Sequence, residues 1–382
     1  MKILALAVFF LTSVNTVVAQ NESLLLDEDF ITDARQAIDS VYNLNYDASL
    51  DILSPWMQAY PDNPAWIFWP ALEVWWKILP DLENTDYDDK LFGLLDDARD
   101  ASNEKLKNNR DIDALIISSL SYGFTARHLT NRGSWYQSLR QARMGMNYFK
   151  ELEQLVPDLV DIQFGLGLMK YFMAYFTEQY PVIRPFAWML PKGDKEEGLE
   201  RMGIASRESI FLIPETTFFL GHIYLHYERD FPQAIDYLEE LTHRYPNNGY
   251  YHRLLIRSHF RNGNFTTAMT LSEAVLSQWE NKNKVADRAL KEELYMLRGR
   301  ILNIRRENDT ALDEFIAGFK VGENLHPAGG RRNFLTSSYY LGEIYLNKGE
   351  YNTSQYFLEL VAASNLDFEY VDKAKKLLRR AF

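Results

Sequence analysis

The stretch Leu220-Gly221-His222-Ile223-Tyr224 returns later in the chain as Leu341-Gly342-Glu343-Ile344-Tyr345. Each copy is followed about ten residues on by a small residue that opens a second amphipathic run, the periodicity of paired helices. Aligning those small residues gives Ala234, Ala268, Ala311 and Ser354, with a first interval of 34 residues and two of 43. A pattern of this length means a helix–turn–helix unit stacked on copies of itself.

The steric logic of the unit is legible. Gly221, Gly299 and Gly342 are expected to face Ala or Ser where two helices cross, because a larger side chain there would push the axes apart. Tyr224, Phe315, Tyr345 and Phe357 then fill the remaining volume. Gly263 and Gly349 fall in the turns inside a pair, where a left-handed backbone costs glycine least.

Prolines punctuate the chain from end to end. Tyr60-Pro61-Asp62-Asn63, Val156-Pro157-Asp158, Ile213-Pro214-Glu215 and Tyr245-Pro246-Asn247-Asn248 each read as one helix stopping and the next being capped. The spacing predicts helix pairs over 28–60, 63–107, 111–156, 159–210, 214–245, 248–280, 286–320 and 332–364, with a closing helix over 367–381. No run keeps the period-two alternation of a strand. The break Tyr180 to Asp194, with Pro181, Pro185, Pro191 and Gly193, is expected to be an irregular loop or a short helix.

These motifs resemble the tetratricopeptide repeat superfamily, specifically over residues 214–364 and more loosely, through helix punctuation and aromatic content, over 28–213. The segment Leu190-Pro-Lys-Gly-Asp194-Lys-x-x-Gly198-Leu199 is similar to one seen in exported bacterial repeat proteins, and faintly to the tetratricopeptide repeat protein 39 family. The resemblance implies an all-α, right-handed solenoid of tetratricopeptide-like helix pairs. It implies a scaffold and no activity.

The first nineteen residues read as a signal peptide. Lys2 precedes the apolar run Ile3–Leu11, and Val17-Val18-Ala19 supplies the residues of a cleavage site. The expected organisation is therefore a signal over 1–19, degenerate helical repeats over 20–213, and tetratricopeptide-like repeats with a C-terminal capping helix over 214–382. The protein is expected to be periplasmic or secreted. No integral membrane segment is expected after signal removal.

The formal net charge is −12, or −13 without Lys2. Nucleic acid is bound through clustered Lys and Arg, so an acidic chain is poorly suited to it. There is no cysteine, which excludes thiol chemistry and Cys-ligated zinc.

Catalytic patterns are absent from the sequence: there is no G-x-S-x-G, no phosphate-binding glycine loop and no H-E-x-x-H. Gly165-Leu-Gly167 begins like a dinucleotide fingerprint, but helix packing is the use expected of both glycines. The acidic run Asp81–Asp89 lacks the alternating carboxylates and central Gly of a calcium loop, and is expected to be a solvated turn with capping carboxylates. His222 and His226 share a helix face without a third ligand. No cofactor, no metal and no enzymatic activity are expected.

Two candidate binding regions follow. Five tryptophans, Trp56, Trp66, Trp69, Trp75 and Trp76, read either as a packed core or as an aromatic platform for a carbohydrate or small ligand. Trp66, Trp69 and Trp76 share one stripe, and Trp75 points away from it as the better surface candidate.

The second region is implied by the resemblance, in which the first helix of each pair lines a concave groove. Carried onto this sequence, that lining is Phe218, His222 and His226, then Tyr250, Arg253, Arg257 and Arg261, then Arg300 and Tyr339, with Glu343 as a dissenting negative charge. A basic and aromatic groove suits a protein or peptide partner that is acidic or presents a free carboxylate. The alternative is that acidic residues of neighbouring helices, such as Glu215 or Glu293, already neutralise the stripe.

Overall fold

A computed structural model describes residues 23–179, 192–279 and 285–382. The expected signal and most of the Tyr180–Asp194 break lie outside the described residues. Seventeen α-helices run through the rest, and among the described residues there is no strand. They are α1 (Glu28–Tyr42), α2 (Tyr46–Ala59), α3 (Ala65–Ile78), α4 (Asp88–Leu106), α5 (Ile112–Asn131), α6 (Trp135–Leu155), α7 (Ile162–Gln179), α8 (Lys195–Glu208) and α9 (Ile213–Ile223). They continue with α10 (Phe231–Arg244), α11 (Gly249–Arg261), α12 (Phe265–Trp279), α13 (Val285–Ile304), α14 (Asn308–Glu323), α15 (Arg332–Asn347), α16 (Tyr351–Ala362) and α17 (Glu369–Ala381). Neighbours in sequence pack as neighbours in space, in adjacent pairs. Each predicted pair lies within a few residues of an observed one.

The local causes are those the sequence carries. Asp27, Asp111 and Asp230 accept from backbone N–H groups three residues on (2.8, 2.9 and 3.2 Å) and start α1, α5 and α10. Gly263 and Gly349 turn the chain at φ 78° in both cases. The close crossings sit at the expected glycines, and Ser354 meets Gly342 as expected, but the side chains nearest to the glycines are larger ones. A Cβ at Gly221, Gly299 or Gly342 would come within 3.1, 2.7 and 2.7 Å of Leu238, Phe315 and Leu358. Those large residues follow the small ones by one turn. The glycine lets a bulky side chain rest on bare backbone, while Ala234, Ala311 and Ser354 are buried a turn earlier. Ser354 Oγ also donates to the Gly342 carbonyl (2.7 Å). Gly165 and Gly167 likewise lie against Phe149 and Met202, a packing role. At the other end α17 closes the last pair by burying Tyr370, Val371 and Ala374.

Buried carboxylates organise the N-terminal part. Asp113 accepts from the Leu24 and Leu25 amides (3.0 and 3.2 Å), from Asn63 Nδ2 (2.7 Å) and from the Ser23 hydroxyl, and so holds the start of the described chain on α5. Asp161 accepts from the amides of Ile210, Phe211 and Leu212 (2.6, 2.8 and 3.0 Å) and shapes the turn into α9. A buried amide left unpaired costs about 1–3 kcal/mol, so each carboxylate prevents several such costs at once.

The chain also folds back. Tyr42, at the end of α1, donates to Glu215 Oε2 of α9 (2.8 Å) and packs on Tyr245 (5.7 Å between centroids). Asn248 Nδ2 donates to the Tyr42 carbonyl (2.7 Å), the Asn247 amide to Asn43 Oδ1 (3.0 Å), and the Tyr245 hydroxyl to Asp39 (2.7 Å). Trp76 of α3 meets Tyr250 and Tyr251 of α11 edge to face (6.3 and 5.3 Å). One apolar cluster therefore contains residues of α1, α3, α4, α5, α9, α10 and α11.

Candidate functional site

Among the first helices α11 packs on α13 and α13 on α15, and residues of α1, α3 and the turn after α3 lie against α11. Phe218 is 2 % exposed and Tyr250 is 7 % exposed. Phe218 lies against His222, Tyr250 and Tyr251, with the Arg127 guanidinium over its ring at 4.9 Å. Tyr339 is buried against Tyr340 and Tyr370, and its hydroxyl donates to Glu343 (3.3 Å). These three aromatics are placed in the core.

Arg257 grips Glu293 through three contacts of 2.6 to 2.8 Å. Arg253 lies 3.4 Å from the same carboxylate and donates to the Pro80 carbonyl (2.9 Å). Burial works against charge on Glu293, but Arg257 and Arg253 outweigh it and hold the carboxyl below the usual glutamate range. Of the two acids that could neutralise the stripe, Glu293 takes this half of it. Glu215 instead pairs with Arg127 and accepts from Tyr42.

The other half differs. Arg261 is exposed and makes no ion pair or hydrogen bond with a described residue. Burial and the nearby charges of Arg300, Arg257 and Arg229 lower its affinity for a proton, opposed only by Glu293. Arg300 has its guanidinium over the Phe260 ring (4.8 Å), and its Nε is buried without a partner. Arg229 sits at the end of a single π-turn, Tyr224–Glu228, in a left-handed conformation (φ 56°) that non-glycine residues seldom adopt.

His222 and His226 lie with 4.4 Å between centroids, their rings tilted at 48°. Burial, then His226, Arg127 and Arg257, hold His222 far below the usual imidazole range. His226 is open to solvent, yet enough protein surrounds it that burial, then Arg257 and Arg261, push it down to about 4. Both imidazoles are neutral near pH 7, so the charge at the site comes from guanidinium groups. Among the described residues no group of three His, Asp or Glu could hold a metal.

The acidic turn is exposed at Glu83, Thr85, Asp86, Tyr87 and Asp89, as expected, but Asp81 and Asp88 are tied into the protein. Asp81 is 4 % exposed and accepts from Arg331 Nη1 (2.6 Å), while Arg331 Nη2 donates to Glu292 (2.8 Å). Asp88 accepts from Arg132 (2.6 and 2.7 Å) and lies 2.9 Å from His128. One buried guanidinium thus joins the turn after α3 to α13 and α15. Arg331 and Arg127 carried no sequence signal, because each is a lone arginine whose carboxylates come from distant segments.

The tryptophan region forms no open platform. Trp75, expected at the surface, is 1 % exposed, packed on Phe124 and His128 with Arg127 over its ring (4.6 Å). The helical stripe argument failed because the solvent side of α3 runs through Ile67, Pro70, Glu73 and Lys77, while Trp75 lies on a side covered by α5. Trp76 is also buried, and Trp56, Trp66 and Trp69 are half-buried with their indole N–H groups donating to Asp33, the Tyr60 carbonyl and Ser49.

No family model matches the chain, and no curated protein matches it.

Proposed function

We propose that this protein is a right-handed, tetratricopeptide-like solenoid that works as an exported scaffold for an acidic protein or peptide. The partner is received at the arginine cluster of α11 and α13, beside the π-turn. The observation that carries this reading is the positive charge gathered at Arg261, where Arg300, Arg257 and Arg229 are close, while Glu293 is already shared by Arg253 and Arg257. Guanidinium groups held close together without counter-charge repel one another, and an anionic partner relieves that repulsion. The glycine crossings support the repeat reading, since they recur at Gly221, Gly299 and Gly342 with the same kind of bulky partner.

The test uses the double variant Arg261→Ala, Arg300→Ala. Arg261 is exposed and Arg300 is half-buried over Phe260, so the double variant should lose about 1 kcal/mol of stability at most and keep its circular dichroism spectrum. Binding of acidic peptides, followed by fluorescence anisotropy, should fall by an order of magnitude or more and lose most of its salt dependence. Unchanged binding in the double variant contradicts the reading. So does wild-type binding that ignores salt.

A further inference from the structure

Exposed apolar surface is concentrated on one helix. α6 leaves Trp135 60 %, Tyr136 82 %, Leu139 58 % and Met144 40 % exposed. Such a gathering of exposed large apolar side chains on one helix marks an interaction surface. From Trp135 to Phe149 the helix has no acidic residue, and the exposed Arg140 and Arg143 make no ion pair or hydrogen bond with a described residue. Tryptophan, tyrosine, arginine and methionine, with acids missing, is the composition of a protein–protein interface core.

The neighbouring helix has the opposite character. α4 and α6 both pack on α5. α4 exposes Asp89, Asp97 and Asp100, none of which makes an ion pair or hydrogen bond with a described residue. In the middle of the same helix Gly93 is exposed, and a Cβ there would meet nothing within 4 Å. A mid-helix glycine costs about 1 kcal/mol relative to alanine. Nothing among the described residues uses the space it leaves. A close approach from outside would.

The two helices lie side by side in register. At one end Arg132, just before α6, bonds Asp88 at the start of α4 (2.6 Å); towards the other, Tyr148 donates to Asn103 (3.0 Å). An acidic stripe and an apolar, basic stripe therefore run parallel on one face. Such a face is complementary to itself: a two-fold axis along the groove between the helices lays α4 of one copy over α6 of the other, at equal heights. Asp97 and Asp100 then meet the level of Arg140 and Arg143, and Gly93 the level of the aromatic end. An anionic membrane fits this face less well, since the α4 carboxylates would be repelled by it.

We propose that this chain forms a two-fold dimer in which the apolar, basic face of α6 seats on the acidic, glycine-notched face of α4 of a second copy. The proposal does not depend on the partner-binding reading, because none of these residues belongs to the arginine cluster.

Sedimentation velocity on the full chain across a dilution series tests it. The wild type should dimerise reversibly, more weakly at high salt. Arg140→Asp with Arg143→Asp should raise the dissociation constant on the order of a hundredfold. Adding Asp97→Arg and Asp100→Arg to that variant should restore most of the affinity. Gly93→Leu should keep or raise the melting temperature, which shows the fold intact, and still abolish the dimer. A wild type that stays monomeric at every concentration overturns the proposal. So does a charge reversal without effect, or a combined variant that fails to recover. A monomeric wild type that floats with phosphatidylglycerol vesicles, and loses this on charge reversal, assigns the face to lipid instead.

Discussion

The pairs α13–α16 and the helices α1–α4 solve one problem in two ways. In the C-terminal pairs the spacing of helices is set by what is missing: Gly299 and Gly342 let Phe315 and Leu358 rest on backbone. In the N-terminal helices it is set by what is added. Trp75 and Trp76 fill the space between α3, α5 and α11, and carboxylates from Asp81, Asp113 and Asp161 satisfy groups from distant segments. Small residues at fixed intervals are visible in a sequence. Large residues and single charges that find partners 50 to 250 positions away are not.

The sharpest way to break this comparison is to remove the guanidinium that joins the two regions. Arg331→Met should cost about 3–5 kcal/mol, because it leaves Asp81 and Glu292 buried and unpaired. Hydrogen exchange should rise both in the turn after α3 and in α13. The loss also has a pH signature. Burial raises Glu292 to about 7 despite Arg331, so its folded form binds a proton more readily than the unfolded one. Its contribution is thus fully present below pH 4.5 and is lost as pH rises through 7. Without Arg331 the carboxyl rises further, and the melting-temperature deficit of the variant should be larger at pH 8 than at pH 5. Equal loss at both values, or exchange confined to α13, argues against a shared buried network.

A smaller effect is expected at the C-terminal seams. Gly342→Leu should cost about 1–3 kcal/mol by overpacking against Leu358. Repeats stabilise their nearest neighbours, so the damage should stay within α15, α16 and α17. Exchange that rises equally in α1 to α4 would show that the C-terminal pairs are not separable in this way.

How much was legible follows the same division. The helix pairs, their turns at Gly263 and Gly349, and the crossings at Gly221, Gly299 and Gly342 could be read, because each rests on spacing and backbone sterics. The identity of the crossing partners could not, since the bulky residue and the small one lie on the same helix a turn apart. Of the residues expected in the groove, Arg261 and His226 are exposed and Arg300 is half-buried, whereas Phe218, Tyr250 and Tyr339 are core and Arg253 and Arg257 are bound to Glu293. Periodicity assigns a residue to a helix face. It does not tell whether solvent or another part of the chain covers that face. Here α1, α3 and the turn at Pro80 cover part of it. Arg229 escaped notice because its position depends on the π-turn, and nothing in Tyr224-Leu-His-Tyr-Glu228 marks that irregularity.

The central claim is that the N-terminal helices fold back onto α9–α11, and it can be tested by a cross-link. The chain has no cysteine, so a pair introduced by Asn43→Cys and Asn247→Cys has no competitor. Asn43 accepts from the Asn247 amide at 3.0 Å, so the two positions meet directly across this contact. Mild oxidation of the dilute variant should give an intrachain bond in nearly every molecule, detected by faster migration on non-reducing gels, and should raise the melting temperature. If both thiols remain free, or pair only between molecules, the N-terminal helices do not rest on α10 and α11, and the side of the molecule assigned here to the core is open along its length.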